Sequence, residues 1–160
     1  MDILNYEILE NEITQWMDRT HLMVLATCAA TDAQHQVSAR MMSVIHDGLK
    51  IYFQTGRDSG KCAQMLANPC VALCADNVQI EGTARLLGHP LAAENQFFAE
   101  QSQVLHRGSF DKYSHLSDNV VVEVIPTHIT LWKYTADGTP YRDYLNVTAH
   151  TASREIYPLE

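Results

Sequence analysis

Apolar side chains fall at Tyr6, Leu9, Ile13, Trp16 and Met17, steps of three, four and one that line one face of an opening helix over residues 1–20. From Met23 the period changes. Segments 23–27, 37–45, 49–55, 70–75, 78–87, 120–125 and 129–134 are rich in β-branched, aromatic or aliphatic residues and bounded by turn formers, which predicts about seven strands. Between them, 59–68 carries Cys62, Met65 and Leu66 on one side, and 91–105 carries Leu91, Asn95, Phe98, Ser102 and Leu105 in register, so two further helices are predicted. Residues 106–119 read as one long irregular connection, and 136–160 as a polar tail that docks or frays. The strand-like runs are joined by turns too short for parallel crossovers, so the pairing is antiparallel. The expected fold is mainly β: a single domain over 1–160 built as a small, closed or nearly closed barrel with flanking helices.

The Asp47-Gly48 pair between two strand-like runs is a strong hairpin signal. A two-residue loop there predicts His46 opposite Leu49, Val44 opposite Ile51, Met42 opposite Phe53 and Arg40 opposite Thr55. The face shared by these residues is apolar except at its open end, where Arg40 stands beside Thr55. From that end the chain runs through Gly56, Arg57, Asp58, Ser59 and Gly60 to Lys61, with Ser59 expected to cap the next helix. A helix start offers unpaired N–H groups and partial positive charge, and Lys61 adds a full one. Taken singly, these cations read as solvated loop charges or as an arginine at a sheet rim. Together, Arg40, Lys61, Arg57 and the hydroxyls of Thr55 and Ser59 have the composition of a phosphate site.

Charge sharpens that reading. The 160 residues contain 11 Lys plus Arg against 19 Asp plus Glu, a formal net charge of −8. That is the wrong sign for gripping nucleic acid or anionic lipid, so small molecules and proteins are the expected partners. No run reaches the roughly 18 apolar residues of a membrane span. The first twelve residues carry four acidic side chains and no basic one, unlike a secretory signal, so a cytoplasmic protein is expected. Cys28, Cys62, Cys70 and Cys74 form no CxxC pair and are expected to be reduced, buried and free of metal. The eight histidines show no HExxH spacing and are expected mostly at the surface. Segment 56–62 is one residue short of a nucleotide-triphosphate loop and follows its lysine with Cys62, and no GxGxxG occurs. No Ser-His-Asp order or carboxylate pair stands out, so no catalytic residue is assigned.

The stretch LATCAATDAQHQVSARMMSVIHDGLKIYFQTGRDSGKCAQMLANPCVALCADNVQIEGTARLLG, residues 25–88, resembles the FMN-binding split barrel of the pyridoxamine 5′-phosphate oxidase-like family. The resemblance implies FMN as cofactor. It implies that Arg40, which opens the RMM strand, and Ser59 and Lys61 of SGK hold the FMN phosphate. It further implies that backbone at Met41, Met42 and Ser43 and the strand end at Gln54 and Thr55 flank the flavin. Asn77 falls where the family has a glutamine that contacts FMN across a dimer interface, and Trp132 and Arg142 of LWKYTADGTPYR resemble a further FMN-binding pair. A homodimer with flavin at its interface follows, and segment 37–45, apolar on both faces apart from Ser38, Arg40 and Ser43, suits a strand covered by a partner. Two departures concern the substrate. The arginine, spacer and histidine that hold pyridoxamine phosphate are replaced by Gly138, Thr139 and Pro140, and the lysine closing the arginine strand is replaced by Ile45. The resemblance thus implies an FMN-dependent oxidoreductase for a small organic substrate other than pyridoxamine phosphate. The alternative is a non-catalytic flavin- or haem-binding protein, a redox sensor or a stress protein.

Overall fold

The computed structural model describes residues 1–29 and 35–158. A short strand β1 (Asp2–Leu4) leads into helix α1 (Tyr6–Asp18), whose first turn is capped where the Asn5 side chain accepts from Ile8 N at 2.9 Å. The helix buries Tyr6, Leu9, Ile13, Trp16 and Met17, the face its spacing predicts. The chain continues through β2 (Leu22–Cys28), β3 (Val37–Ser43), β4 (Ile45–Asp47), β5 (Lys50–Gly56), α2 (Gly60–Ala67), β6 (Cys70–Ala75) and β7 (Val78–Gly88). A 3-10 turn (Ala93–Asn95) opens α3 (Gln96–Leu105), and α4 (Arg107–Tyr113), β8 (Asn119–Tyr134), β9 (Pro140–Asn146) and β10 (Thr151–Ile156) follow. Among the described residues, no helix is long and apolar enough to cross a membrane.

All pairings are antiparallel, in the order β1-β10-β9-β8-β7-β6-β2-β3, with β5 joined to both β4 and β8. The sixteen-residue β8 organises the molecule. Its first part pairs with β5 from Gly56↔Asn119 to Ile51↔Val124, its last part pairs with β9 from His128↔Asn146 to Tyr134↔Pro140, and β7 follows its other edge. The strand thereby leaves the barrel and enters a β9-β10-β1 extension, the architecture of a split barrel. A register shift at Glu81/Gly82 lets β7 follow the bend, and a Cβ on Gly82 would lie 2.6 Å from the Ile125 carbonyl oxygen, so no other residue fits without displacing backbone. Leu25, Ile51, Phe53, Ile80, Val120, Val122, Val124 and Leu145 are fully enclosed and, with the α1 face, form the core.

Several expectations change. The predicted 37–45 strand breaks at Val44: β3 pairs with β2, placing Arg40 opposite Leu25, while β4 pairs with β5 through Ile45↔Tyr52, His46↔Ile51 and Asp47↔Lys50. The hairpin loop is Gly48-Leu49, so the expected Val44–Ile51, Met42–Phe53 and Arg40–Thr55 pairs do not form. The cause is backbone chemistry: of the loop candidates only Gly48 has positive φ, at 57°, the arrangement of a turn with glycine first, whereas a loop at Asp47-Gly48 of the mirror-image kind needs both residues there. Segments 120–125 and 129–134 are one strand, and 106–119 contains α4. The 136–160 tail supplies β9 and β10, bringing the described strands to ten. Cys62 alone among the four cysteines is buried; Cys70 and Cys74 point out from β6 while Val71 and Leu73 point in, and Cys28 is half-buried.

Candidate functional site

The end of β5, the start of α2 and the middle of β3 meet at one place. Ser59 caps α2, its Oγ accepting from Cys62 N at 3.3 Å. Lys61, in the first turn, folds back so that Nζ donates to Thr55 Oγ1 at 2.9 Å, and Ser59 Oγ lies 3.4 Å from the same oxygen. Arg40 arrives by a different route from the one its sequence position suggests. From β3 its guanidinium crosses β2, donating from Nη1 to Thr27 Oγ1 at 2.7 Å and from Nη2 to Gln64 Oε1 of α2 at 3.5 Å. The corrected register therefore still brings Arg40 to the helix that carries Lys61.

The electrostatics of this group are unusual for a chain of net negative charge. Among the described residues, neither Arg40 nor Lys61 forms a salt bridge with a carboxylate. Burial pushes the Lys61 ammonium below its ordinary range, and the Arg40 cation pushes it further. Burial lowers Arg40 as well. Two half-buried like charges beside two hydroxyls and a helix start have the chemistry to attract an anion with more than one negative charge. Arg57 takes no part: its side chain is exposed, and its backbone N–H donates to Asp118 O at 2.7 Å.

Next to this group opens a cavity of about 460 Å³, within the range of small-molecule sites. One wall is made of Met41, Met42, Ser43, Gln54, Thr55 and Lys61, each singled out by the sequence. The rest of the lining, Phe98, His106, Ser109 and Tyr113 from α3, α4 and their junction, and Asn119 of β8 next to Gly56, was not anticipated. Three polar ties hold it, one of them a 3.5 Å bond from Gln54 Nε2 to Ser109 O. Gln54 Oε1 accepts from Ser114 Oγ at 2.7 Å, and a His106 Nε2 contact of 2.8 Å covers the Val44 carbonyl left by the break between β3 and β4. Asn119 is buried, and its Oδ1 has no hydrogen-bond partner.

Asn77, Trp132 and Arg142 also come together, but elsewhere. Asn77 Nδ2 donates to Trp132 O at 2.7 Å and Trp132 N donates to Asn77 O at 2.9 Å, tying the β6–β7 turn to the far end of β8. Arg142 sits opposite Trp132 in the ladder, its guanidinium carbon 4.1 Å from the indole centroid. Tyr157 stacks on Trp132 at 14° and lies 5.2 Å from the same guanidinium, a contact the sequence did not suggest. Trp132 is thirteen residues along β8 from Asn119, roughly 40 Å of strand contour. Within one chain the two groups of residues do not meet.

The sequence pattern of the pyridoxamine 5′-phosphate oxidase family matches residues 9–133. A comparison with curated proteins finds no match in sequence. Solved structures that resemble this one include a pyridoxamine 5′-phosphate oxidase-related, FMN-binding protein from Nostoc punctiforme PCC 73102, with 11% identity, 95% of this chain and 93% of that one covered, and a TM-score of 0.56. Others are the haem storage protein HutZ from Vibrio cholerae, with 16% identity, coverages of 74% and 89% and a TM-score of 0.60, and General Stress Protein 26 from Bacillus anthracis str. Sterne, with 18%, 87%, 98% and 0.62. At these identities the likeness is one of fold.

Proposed function

Since the chain belongs to the pyridoxamine 5′-phosphate oxidase family, we propose that the cavity between β3, β5 and α4 binds FMN and that the protein is an FMN-dependent oxidoreductase. Lys61, Arg40, Ser59 and Thr55 hold the phosphate, and Met41, Met42, Ser43 and Gln54 flank the isoalloxazine. The observation that carries this reading is the pair of cations beside α2, Lys61 in its first turn and Arg40 reaching Gln64, neither salt-bridged among the described residues and the first with its charge disfavoured by burial and by the second. A phosphate dianion relieves both costs. When bound, FMN supplies the hydride and electron chemistry. The chain's own part is to fix the phosphate, enclose the ring, and keep the cations dry enough to favour a dianion over water.

A second copy of the chain completes the site. Asn77, Trp132 and Arg142 are assembled on one exposed end, too far along β8 to reach their own cavity, and a two-fold partner can present them to the other chain's flavin. Exposed Leu22, Val37 and Met41 on β2 and β3 provide apolar surface for such a partner.

Pyridoxamine phosphate does not suit as substrate. The β8–β9 turn, where family members place an arginine and a histidine, offers Gly138, Thr139 and Pro140 instead. Asp137 beside them is held as an anion, its carboxyl lowered by hydrogen bonds from the Thr135 hydroxyl and the Thr139 backbone. A turn of that charge repels a substrate phosphate, so a small organic substrate without one is the better fit, and the same feature favours, as second reading, a flavin holder without turnover. Absorbance of freshly purified protein together with the mass of the released chromophore tests the reading. A flavin spectrum and FMN supports it, and haem or the absence of a chromophore after FMN addition overturns it. NADH or NADPH oxidation with common acceptors separates the oxidoreductase from the holder.

A further inference from the structure

Cys28 closes β2 and Cys70 opens β6, and the two strands run antiparallel through Val24↔Cys74, Leu25↔Leu73, Ala26↔Ala72 and Thr27↔Val71. One rung further, the same register sets Cys28 opposite Cys70. Both residues are still held as strand on their outer sides, Cys28 by Val37 of β3 and Cys70 by Thr83 of β7. Directly opposed residues on antiparallel strands have Cα atoms about 4.5–5.5 Å apart, inside the span of roughly 4.4–6.8 Å that a disulfide bridges. The two side chains also share a face. Thr27 and Val71 point into the core, so Cys28 and Cys70 point out, and both line an open depression of about 430 Å³ together with Ala26, Val37, Ala72 and Thr83. The backbone ladder ends at this rung, where the Cys70 N–H donates to Asn68 Oδ1 at 3.2 Å and Pro69 has no N–H to give. The reduced Cys28 thiol rests on the Ala29 carbonyl, Sγ to O 3.4 Å, so a bond to Cys70 calls for rotation about χ1 and no change of register.

We infer that Cys28 and Cys70 are a reversible disulfide pair, closed by hydrogen peroxide and reopened by a small thiol. Cys70 is exposed and Cys28 half-buried, so the oxidant meets Cys70 first. The Cys70 sulfur attacks the peroxide, the O–O bond breaks, and a sulfenic acid and one water result. The Cys28 sulfur then attacks the Cys70 sulfur; the S–S bond forms, the S–O bond breaks, and the oxygen leaves as a second water. Two thiols have lost two electrons and two protons, and one peroxide has become two waters. The other cysteines do not compete. Cys62 is buried, and Cys74 faces Val24, four residues along β6 from Cys70 and roughly 13 Å away. The bond joins the end of β2 to the chain leaving α2, the two elements that Arg40 braces through Thr27 and Gln64. It therefore closes beside the cation pair, in a part of the sheet that backbone bonds leave open.

The test treats the folded, reduced protein with hydrogen peroxide, alkylates it in urea and weighs it, for wild type, Cys28→Ser, Cys70→Ser and Cys74→Ser. Wild type and Cys74→Ser are expected to lose two alkylation sites, to regain both after dithiothreitol, and to yield on trypsin digestion a peptide of residues 20–40 joined to one of residues 62–85. Cys28→Ser is expected to form no internal disulfide and to hold a sulfenic acid at Cys70 that dimedone traps. Wild type that keeps all four thiols, a bridge that survives in Cys28→Ser or Cys70→Ser or disappears in Cys74→Ser, or a bridge found only between two chains on a non-reducing gel, overturns the inference. None of these readouts involves flavin, so the outcome is independent of the FMN reading.

Discussion

Lys61→Ala removes one unit of charge from the phosphate receptor with little else. The ammonium makes a single described hydrogen bond, 2.9 Å to Thr55 Oγ1, and no ion pair. A unit charge about 4 Å from a phosphate charge gains about 4 kcal/mol at an effective dielectric of 20 and about 1 kcal/mol in water. Lys61 is half-buried, so the value lies between these limits. Its desolvation is already borne by the ligand-free protein, as its lowered pKa shows, and is not incurred again on binding. A loss of about 2 kcal/mol follows, which also falls within the range of charge-assisted hydrogen bonds and equals roughly a thirtyfold rise in the FMN dissociation constant. Riboflavin, identical but for the phosphate, is the control and should bind wild type and variant equally. Fluorescence titrations of both flavins at one fixed ionic strength measure the ratio. A loss shared by riboflavin, or an FMN loss under about threefold, would refute the reasoning. Arg40→Ala is the less clean probe, because Arg40 also braces Thr27 and Gln64, and its removal disturbs the β2–α2 contact.

Affinity for FMN should fall as alkaline pH rises. Lys61 in the free protein loses its proton below the ordinary lysine range, a bound dianion restores it, and between those two values binding takes up a proton; calorimetry in buffers of different ionisation enthalpy detects the uptake, which Lys61→Ala abolishes. Asp143 is fully buried; burial alone would raise its carboxyl, but Arg154, bonded at 2.6 Å, and Lys133, at 3.0 Å, outweigh it and hold the carboxyl below its usual range. Its contribution to stability is therefore present above about pH 4 and is lost as pH falls through the depressed value; Asp143→Asn should cost about 3 kcal/mol at neutral pH in urea unfolding and flatten that acid dependence. Gly82→Ala drives a methyl to 2.6 Å from the Ile125 carbonyl oxygen and should destabilise by about 3 kcal/mol, and an unchanged denaturation midpoint would show that the β7–β8 bend is not fixed by this contact.

Much of this site was legible because its residues are local in sequence. Thr55, Ser59 and Lys61 lie within one strand-loop-helix passage, and the capping serine and first-turn lysine follow from that order alone. Arg40 was placed near them through a hairpin register that does not exist; it arrives instead through the β2–β3 pairing and a long side chain, so its proximity depends on tertiary structure that period-two counting does not carry. The α3–α4 wall was hidden for another reason. Helix α4 buries none of its residues and shows no apolar stripe to read. The tail escaped recognition because β9 turns a carboxylate inward: Asp143 occupies an inward position beside Leu145, made tolerable only by Lys133 and Arg154 from neighbouring strands, so the expected alternation of apolar and polar residues is broken. Asn119 gave no signal either, since an unsatisfied amide exists only once its surroundings are known.

The proposed flavin site seats a phosphate beside two cations. Phosphorus-31 resonance of the protein reconstituted with FMN measures that environment directly. Free FMN phosphate changes ionisation near about pH 6. Bound against Arg40 and Lys61, the phosphorus resonance should stay at its dianion position from about pH 5 to pH 8. A bound phosphate that titrates as it does in free solution would contradict the account.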